Sequence, residues 1–130
     1  MSPKKIVVVD DDEMIRKTFF LILQKKYLVY LAKDSKEALE RFKNAEAEID
    51  LIIADLKLPH INGIELISKF RKMGYKGEVI MISAYPDLIN KKKLNRLSIA
   101  NFFVKPLDLK ALNRSIDCLL NTKSISGARL

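Results

Sequence analysis

Short, unbroken aliphatic runs alternate along the chain with longer stretches in which apolar residues recur every three or four positions. The runs predict five strands, near residues 6–9, 28–32, 51–54, 79–82 and 101–104. Strands of a parallel sheet are buried on both faces, so they lack an alternation of polar and apolar residues. The amphipathic stretches between the runs predict helices. Strict alternation of strands and helices favours a parallel sheet covered by helices on both faces.

The number of strands narrows the topology. Crossovers between parallel strands are right-handed, which leaves few arrangements. Five strands in 130 residues favour an α/β, flavodoxin-like doubly wound (βα)5 fold with a parallel five-stranded sheet in the order 2-1-3-4-5. In that order the ligand crevice lies beyond the carboxyl ends of strands 1 and 3.

Residues that favour helix starts precede several of the predicted helices. Asp12, Ser35 and Asp108 are each predicted to cap the helix that follows. Pro86 is predicted to lie near the first turn of the fourth helix, because proline is well tolerated there.

Carboxylates follow two of the predicted strands. Asp10 and Asp11 come directly after the first strand, and Asp55 comes directly after the third. Because these strands are neighbours in the predicted order, their carboxylates are expected to meet at one edge of the sheet. Carboxylates without Cys or His around them suit a hard cation such as Mg²⁺.

The fourth and fifth strands bring Ser83 and Lys105 to the same edge. A carboxylate beside Mg²⁺ can act as a nucleophile toward a phosphoryl group. The charge on the phosphoryl oxygens needs a cationic side chain and a hydroxyl or amide donor nearby. The set of side chains therefore indicates phosphoryl chemistry.

The positive charge is unevenly distributed. The net charge is +8; residues 1–87 carry 15 Lys and Arg against 14 Asp and Glu, whereas residues 88–130 carry nine against two. The run Lys91-Lys92-Lys93-Leu94-Asn95-Arg96 lies on predicted helix 4. Such a run is usually a solvated helix face; the alternative hypothesis is a surface that docks an acidic protein or nucleic acid.

Other features bound the class of protein. The single cysteine excludes an internal disulfide. No apolar stretch reaches about 18 residues, and no signal peptide precedes the first strand. A cytoplasmic protein without membrane contact is expected.

Four motifs carry a resemblance to a known family: Val8–Asp11, Asp55–Pro59 followed by Gly63, Ser83-Ala84, and Phe102–Pro106. In this order, at strand ends, they resemble the receiver domain of two-component response regulators. The resemblance covers residues 5–121. It implies a receiver domain over residues 1–121, with residues 122–130 as a disordered tail or the start of a linker.

The resemblance implies roles for the site residues. Asp55 would accept a phosphoryl group from the phosphohistidine of a sensor histidine kinase or phosphotransfer protein. The chain would catalyse its own phosphorylation and dephosphorylation, without being a conventional enzyme. Ser83 and Lys105 would contact the phosphoryl oxygens. Mg²⁺ (or Mn²⁺) would be held by Asp10, Asp11, Asp55 and the backbone carbonyl of Lys57.

A conformational switch is also implied by the resemblance. Ser83 would move toward the phosphoryl group and Phe102 would rotate inward, changing the surface of helix 4, strand 5 and helix 5. A phosphorylation-dependent homodimer could form there. The bond before Pro106 would be cis. Lys57 and Tyr85 occupy positions that tune the lifetime of the acyl phosphate, and Ser98-Ile99 replaces the usual Gly-Ala pair.

Three other interpretations stay open. The chain could be a receiver domain excised from a larger DNA-binding transcriptional regulator. It could be a Mg²⁺-dependent phosphohydrolase of the haloacid-dehalogenase type, since Asp10 and Asp12 have the required spacing, although the chain is too short for a cap domain. A receiver-like module that is never phosphorylated is the third, and the intact Asp, Ser and Lys set argues against it.

Overall fold

The computed structural model describes residues 3–44 and 48–121. The strands are β1 (Lys5–Val9), β2 (Leu28–Ala32), β3 (Leu51–Asp55), β4 (Glu78–Ser83) and β5 (Asn101–Val104). The α-helices are α1 (Glu13–Leu23), α2 (Ser35–Asn44), α3 (Gly63–Lys72), α4 (Lys91–Arg96) and α5 (Leu109–Leu120). Within these ranges no helix has the length and apolar character needed to cross a bilayer. The predicted tail at residues 122–130 lies outside the described residues.

All four strand pairs are parallel, and the order is β2-β1-β3-β4-β5. This confirms the predicted fold. Successive residues of each central strand face opposite sides: Val7 and Val9 join the core cluster under α2 and α3, whereas Ile6 and Val8 join the cluster under α1 and α5. Because both faces are covered, each position along the central strands must be apolar.

Two of the three predicted N-caps are confirmed. The Asp12 carboxylate accepts hydrogen bonds from the first turn of α1, and the Asp108 carboxylate accepts one from the amide of Ala111. The prediction for Ser35 is wrong. Asp34 accepts from the amide of Glu37 at 2.8 Å, while Ser35 is the first residue of α2 and is buried. The carboxylate therefore takes the capping role one residue earlier.

The start of α4 also differs from the prediction. Pro86 lies in a separate single 3₁₀ turn, Pro86–Leu88, and Ile89 that follows is extended. Helix α4 begins only at Lys91, where the side chain of Asn90 accepts from the amide of Lys93 at 3.2 Å. The asparagine cap therefore leaves α4 only six residues long.

The carboxyl end of α4 is closed by Ser98, which adopts a left-handed backbone with φ 57°. Its amide donates to the carbonyl of Asn95, and the amide of Ile99 donates to that of Leu94, the pattern of a Schellman cap. The Arg71 guanidinium on α3 donates to the carbonyls of Leu97 at 3.0 Å and Ser98 at 3.2 Å. The cap is therefore attached to α3 as well as to its own helix.

The strain at Ser98 leads to a stability prediction. Ser98→Gly is expected to raise the free energy of unfolding by about 1 kcal/mol, because glycine adopts the left-handed conformation without a steric penalty. Urea denaturation measures the change. The matched control is Ser68→Gly, at a right-handed position inside α3, where the same change should lower stability by about 0.5–1 kcal/mol. A loss of stability at both positions would contradict the prediction.

Candidate functional site

The carboxyl ends of β1 and β3 bring three carboxylates together. Asp10 follows β1 and Asp55 ends β3, and the two strands are hydrogen-bonded neighbours. One carboxylate oxygen from each of Asp10, Asp11 and Asp55 lies within 4.8 Å of the others. Asp10 and Asp55 are buried, and Asp11 is exposed. The cluster therefore has a buried inner side and an outer side that is open to solvent.

Lys105 neutralises the buried side of this cluster. Its Nζ donates to Asp10 Oδ2 at 2.8 Å and to Asp55 Oδ2 at 2.9 Å. The lysine is placed by the end of β5, where its amide donates to the carbonyl of Ser83 at 2.8 Å. One ammonium group thus links carboxylates from two strands that lie on the far side of β4.

Burial and pairing have opposite effects on these charges. Burial raises the pKa of the Asp10 carboxyl, and this exceeds the lowering by hydrogen bonds from Lys105 and the amide of Asp12. Burial by itself lowers the pKa of the Lys105 ammonium, but its bonds to Asp10 and Asp55 raise that pKa more. The lysine is therefore held protonated, while the environment of Asp10 favours further positive charge.

Backbone amides fix the second oxygen of each buried carboxylate. Asp10 Oδ1 accepts from the amide of Asp12 at 2.9 Å, and Asp55 Oδ1 accepts from the amide of Lys57 at 3.2 Å. Both bonds span two residues and orient the carboxylate within its own turn. The carbonyl of Lys57 as a metal ligand stays a prediction.

The remaining residues that the sequence singled out occupy two different places. Ser83 is buried at the end of β4, and its hydroxyl accepts from the amide of Tyr85 at 2.9 Å. Phe102 is half-buried and lines a separate cleft between α4 and β5. The structure therefore brings Ser83 to the edge where the carboxylates lie but leaves Phe102 away from them. The Lys105-Pro106 peptide bond is cis.

An open cleft of about 550 Å³ lies over the carboxylates. Asp11, Asp55 and Lys105 line it on the inside, and Lys57 and Tyr85 line it toward solvent. The Nζ of Lys57 stands 4.6 Å from the centre of the Tyr85 ring, a cation–π contact. The two residues therefore touch each other across the entrance.

Sequence reasoning missed the contribution of Arg16. A guanidinium nitrogen of Arg16, in the first turns of α1, donates to the backbone carbonyl of Asp10 at 2.7 Å. This bond holds the turn that presents Asp10 and Asp11. The only signal in the sequence is an arginine one turn beyond the acidic run, and its half-buried position was needed to interpret it.

Fold and site together define a doubly wound α/β domain with an acidic trio and a lysine at the carboxyl edge of its sheet. The chain belongs to the response regulator receiver domain family, whose sequence profile matches residues 6–117. Receiver domains of this family operate in two-component systems, in which they interact with histidine kinases and phosphotransfer proteins.

Individual relatives agree with this assignment. The alkaline phosphatase synthesis transcriptional regulatory protein PhoP of Bacillus subtilis is 32% identical over 126 residues, which are 95% of this chain and 51% of PhoP. The chain therefore spans about half the length of that relative.

Two solved structures are also similar. A CheY-like receiver domain protein from Methanospirillum hungatei superimposes with a TM-score of 0.85 at 29% identity, covering 96% of this chain and 99% of that one. The response regulator TrrA of Thermotoga maritima, solved with Mg²⁺ and BeF, gives a TM-score of 0.76 at 29% identity, covering 89% and 98%.

Proposed function

We propose that Asp55 is the phosphoacceptor of this receiver domain and that Asp10, Asp11, Ser83 and Lys105 serve its phosphorylation. The observation that carries the proposal is the Lys105 ammonium bonded to both Asp10 and Asp55, with the Asp11 carboxylate within 4.8 Å of theirs. Asp55 is the only one of these carboxylates that ends a strand at the floor of the open cleft. It is therefore the one presented to an incoming phosphoryl group.

The donor set fits a divalent cation with a preference for oxygen. Three carboxylates supply oxygens within 4.8 Å of one another, and neither Cys nor His lies in the cluster. Asp10, Asp11, Asp55 and the carbonyl of Lys57 would hold Mg²⁺ or Mn²⁺. The bound ion would offset the repulsion between the carboxylates and stabilise negative charge on the phosphoryl oxygens. The Mg²⁺ complex of the similar TrrA supports this assignment.

The transfer itself needs few groups. A carboxylate oxygen of Asp55 attacks the phosphorus of a phosphohistidine; the new P–O bond forms as the P–N bond breaks, and the imidazole leaves with the bonding electron pair. Lys105 supplies a fixed positive charge beside the acceptor. The Ser83 hydroxyl supplies a donor to the phosphoryl oxygens after it exchanges its present partner, the amide of Tyr85.

Phosphorylation would be communicated away from the site through β4 and β5. Ser83 pairs in register with Val104, two residues from Phe102, so movement of the hydroxyl would act on the neighbouring strand. We place the signalling surface on α4, β5 and α5, where a homodimer, an acidic protein or a nucleic acid would dock. A histidine kinase or phosphotransfer protein would supply the phosphoryl group in the cytoplasm.

A second candidate is a receiver domain that controls a DNA-binding transcriptional regulator. It is favoured by the length relation to PhoP, of which this chain spans about half. The phosphohydrolase is less well supported, because the Asp12 carboxylate accepts from the amides of Met14 and Ile15 as a helix cap. It is therefore engaged where a general acid would need to be available.

Chemical phosphorylation tests the proposal directly. Incubation with acetyl phosphate and Mg²⁺ is expected to add one phosphoryl group by intact mass, and Asp55→Asn is expected to abolish the gain. Chelation of Mg²⁺ should reduce it strongly. Asp87→Asn, a matched change at an exposed residue of the 3₁₀ turn, should leave it intact. A phosphoryl group retained by Asp55→Asn would reject Asp55 as the acceptor.

A further inference from the structure

A basic groove of about 380 Å³ lies between α3 and α4, and none of the site residues described above lines it. Its rim carries four exposed cations, Lys69 and Lys72 from α3 and Lys93 and Arg96 from α4. Within residues 3–44 and 48–121, none of the four has a carboxylate within 4.0 Å. Glu65 is the one acidic residue that lines the groove. The rim is therefore a concentration of positive charge left unpaired by the described part of the chain.

The floor of the basic groove is mainly apolar. Ile64 and Leu97 form it and pack against the core beneath, and Ser68 is the one neutral polar side chain. No aromatic ring lines the groove, so bases would find nothing to stack on. An apolar floor beneath a cationic rim instead matches a partner with apolar anchors flanked by carboxylates.

A neighbouring groove extends the same chemistry toward α2. It has a volume of about 390 Å³ and shares Lys69 and Lys72 with the basic groove. Its other lining residues are Leu39, Lys43 and Met73, again apolar side chains beside a lysine. The two grooves therefore offer an extended partner parallel rows of apolar contacts separated by a ridge of lysines.

We propose that the basic groove docks an acidic amphipathic segment of a partner protein. Leucine-like side chains of the segment contact Ile64 and Leu97, and its carboxylates pair with the rim cations. Complementary charge would accelerate encounter and set specificity, while the apolar floor would supply contact area. The proposal does not depend on phosphorylation of Asp55, because the groove is already open in the structure.

A labelled synthetic peptide tests the docking. The probe is a peptide of about 18 residues with leucines at helical i, i+3, i+4 and i+7 spacing and glutamates elsewhere, followed by fluorescence anisotropy. Lys69→Glu combined with Arg96→Glu is expected to weaken binding on the order of tenfold. The matched control, Lys76→Glu combined with Lys92→Glu, changes the net charge equally at exposed residues outside the groove. It should change binding less than about twofold.

Further arms separate this docking from its rivals. A peptide of the same composition in scrambled order should bind at least about fivefold more weakly, because its leucines no longer share one face. The Asp55→Asn protein should bind the ordered peptide as the wild type does, which keeps this test independent of phosphorylation. Equal weakening in both charge-reversed proteins, tighter binding of an equally long DNA duplex, or no saturable peptide binding would each overturn the proposal.

Discussion

Replacing Lys105 with methionine is expected to lower the free energy of unfolding by about 3 kcal/mol when Mg²⁺ is absent. The Lys105 ammonium donates to both Asp10 and Asp55, whose side chains are only 0% and 7% exposed. Methionine retains much of the length of the side chain but removes the charge. Because two buried carboxylates then face each other without a counter-charge, the folded state loses stability.

Urea denaturation in the presence of a chelator measures this loss. Lys110→Met, at an exposed position of α5, is the matched control and should change stability by less than about 0.5 kcal/mol. Added Mg²⁺ is expected to stabilise Lys105→Met more than the wild type, because a cation at the carboxylates replaces the missing charge. Similar losses from both lysine replacements would show that the Lys105 bridge contributes nothing beyond a surface charge.

The sheet was predictable because burial on two faces leaves an unmistakable pattern. All five residues of β3 are buried, and a strand in that position can contain only apolar residues until it reaches the edge. The first polar residue at such a strand end therefore marks the ligand crevice. This is why Asp10 and Asp55 could be placed together before the coordinates were known, and why Lys105 could be added from β5.

The errors arose where two neighbouring residues could play the same role. Asp34 and Ser35 both favour N-caps, and only the packed structure, which buries Ser35, decides between them. Pro86 and Asn90 are both plausible helix starts, and the extended backbone at Ile89 assigns them to separate turns. Local preferences of this kind differ by less than the packing energy that selects among them.

Long side chains and surfaces shared by two helices were beyond sequence reasoning. The bond from Arg16 to the Asp10 carbonyl depends on the direction of a flexible side chain, which spacing alone does not specify. The basic groove was half visible, since the run at residues 91–96 indicated a cationic α4. Lys69 and Lys72 gave no such signal, because they lie in a part of the chain with nearly balanced charge.

Gly63→Ala is expected to destabilise the protein by about 3 kcal/mol, because the first residue of α3 is packed directly against the end of β3. An added Cβ would stand 2.3 Å from the carbonyl oxygen of Asp55 and 2.7 Å from the Cε of Met81. The amide of Gly63 also donates to the carbonyl of Leu56 at 2.7 Å, so the helix cannot retreat without breaking that bond. The strand end that carries Asp55 must therefore shift.

Gly74→Ala separates this steric effect from a purely conformational one. Gly74 has φ +99°, but a Cβ there would meet nothing within 4 Å, so alanine should cost about 1–2 kcal/mol through backbone strain alone. Thermal or urea denaturation of the two variants gives the comparison. If Gly63→Ala were no more destabilising than Gly74→Ala, the end of β3 would have to be compliant. Asp55 could not then be held rigidly beside Asp10, and the fixed geometry invoked for phosphoryl transfer would lose its structural basis.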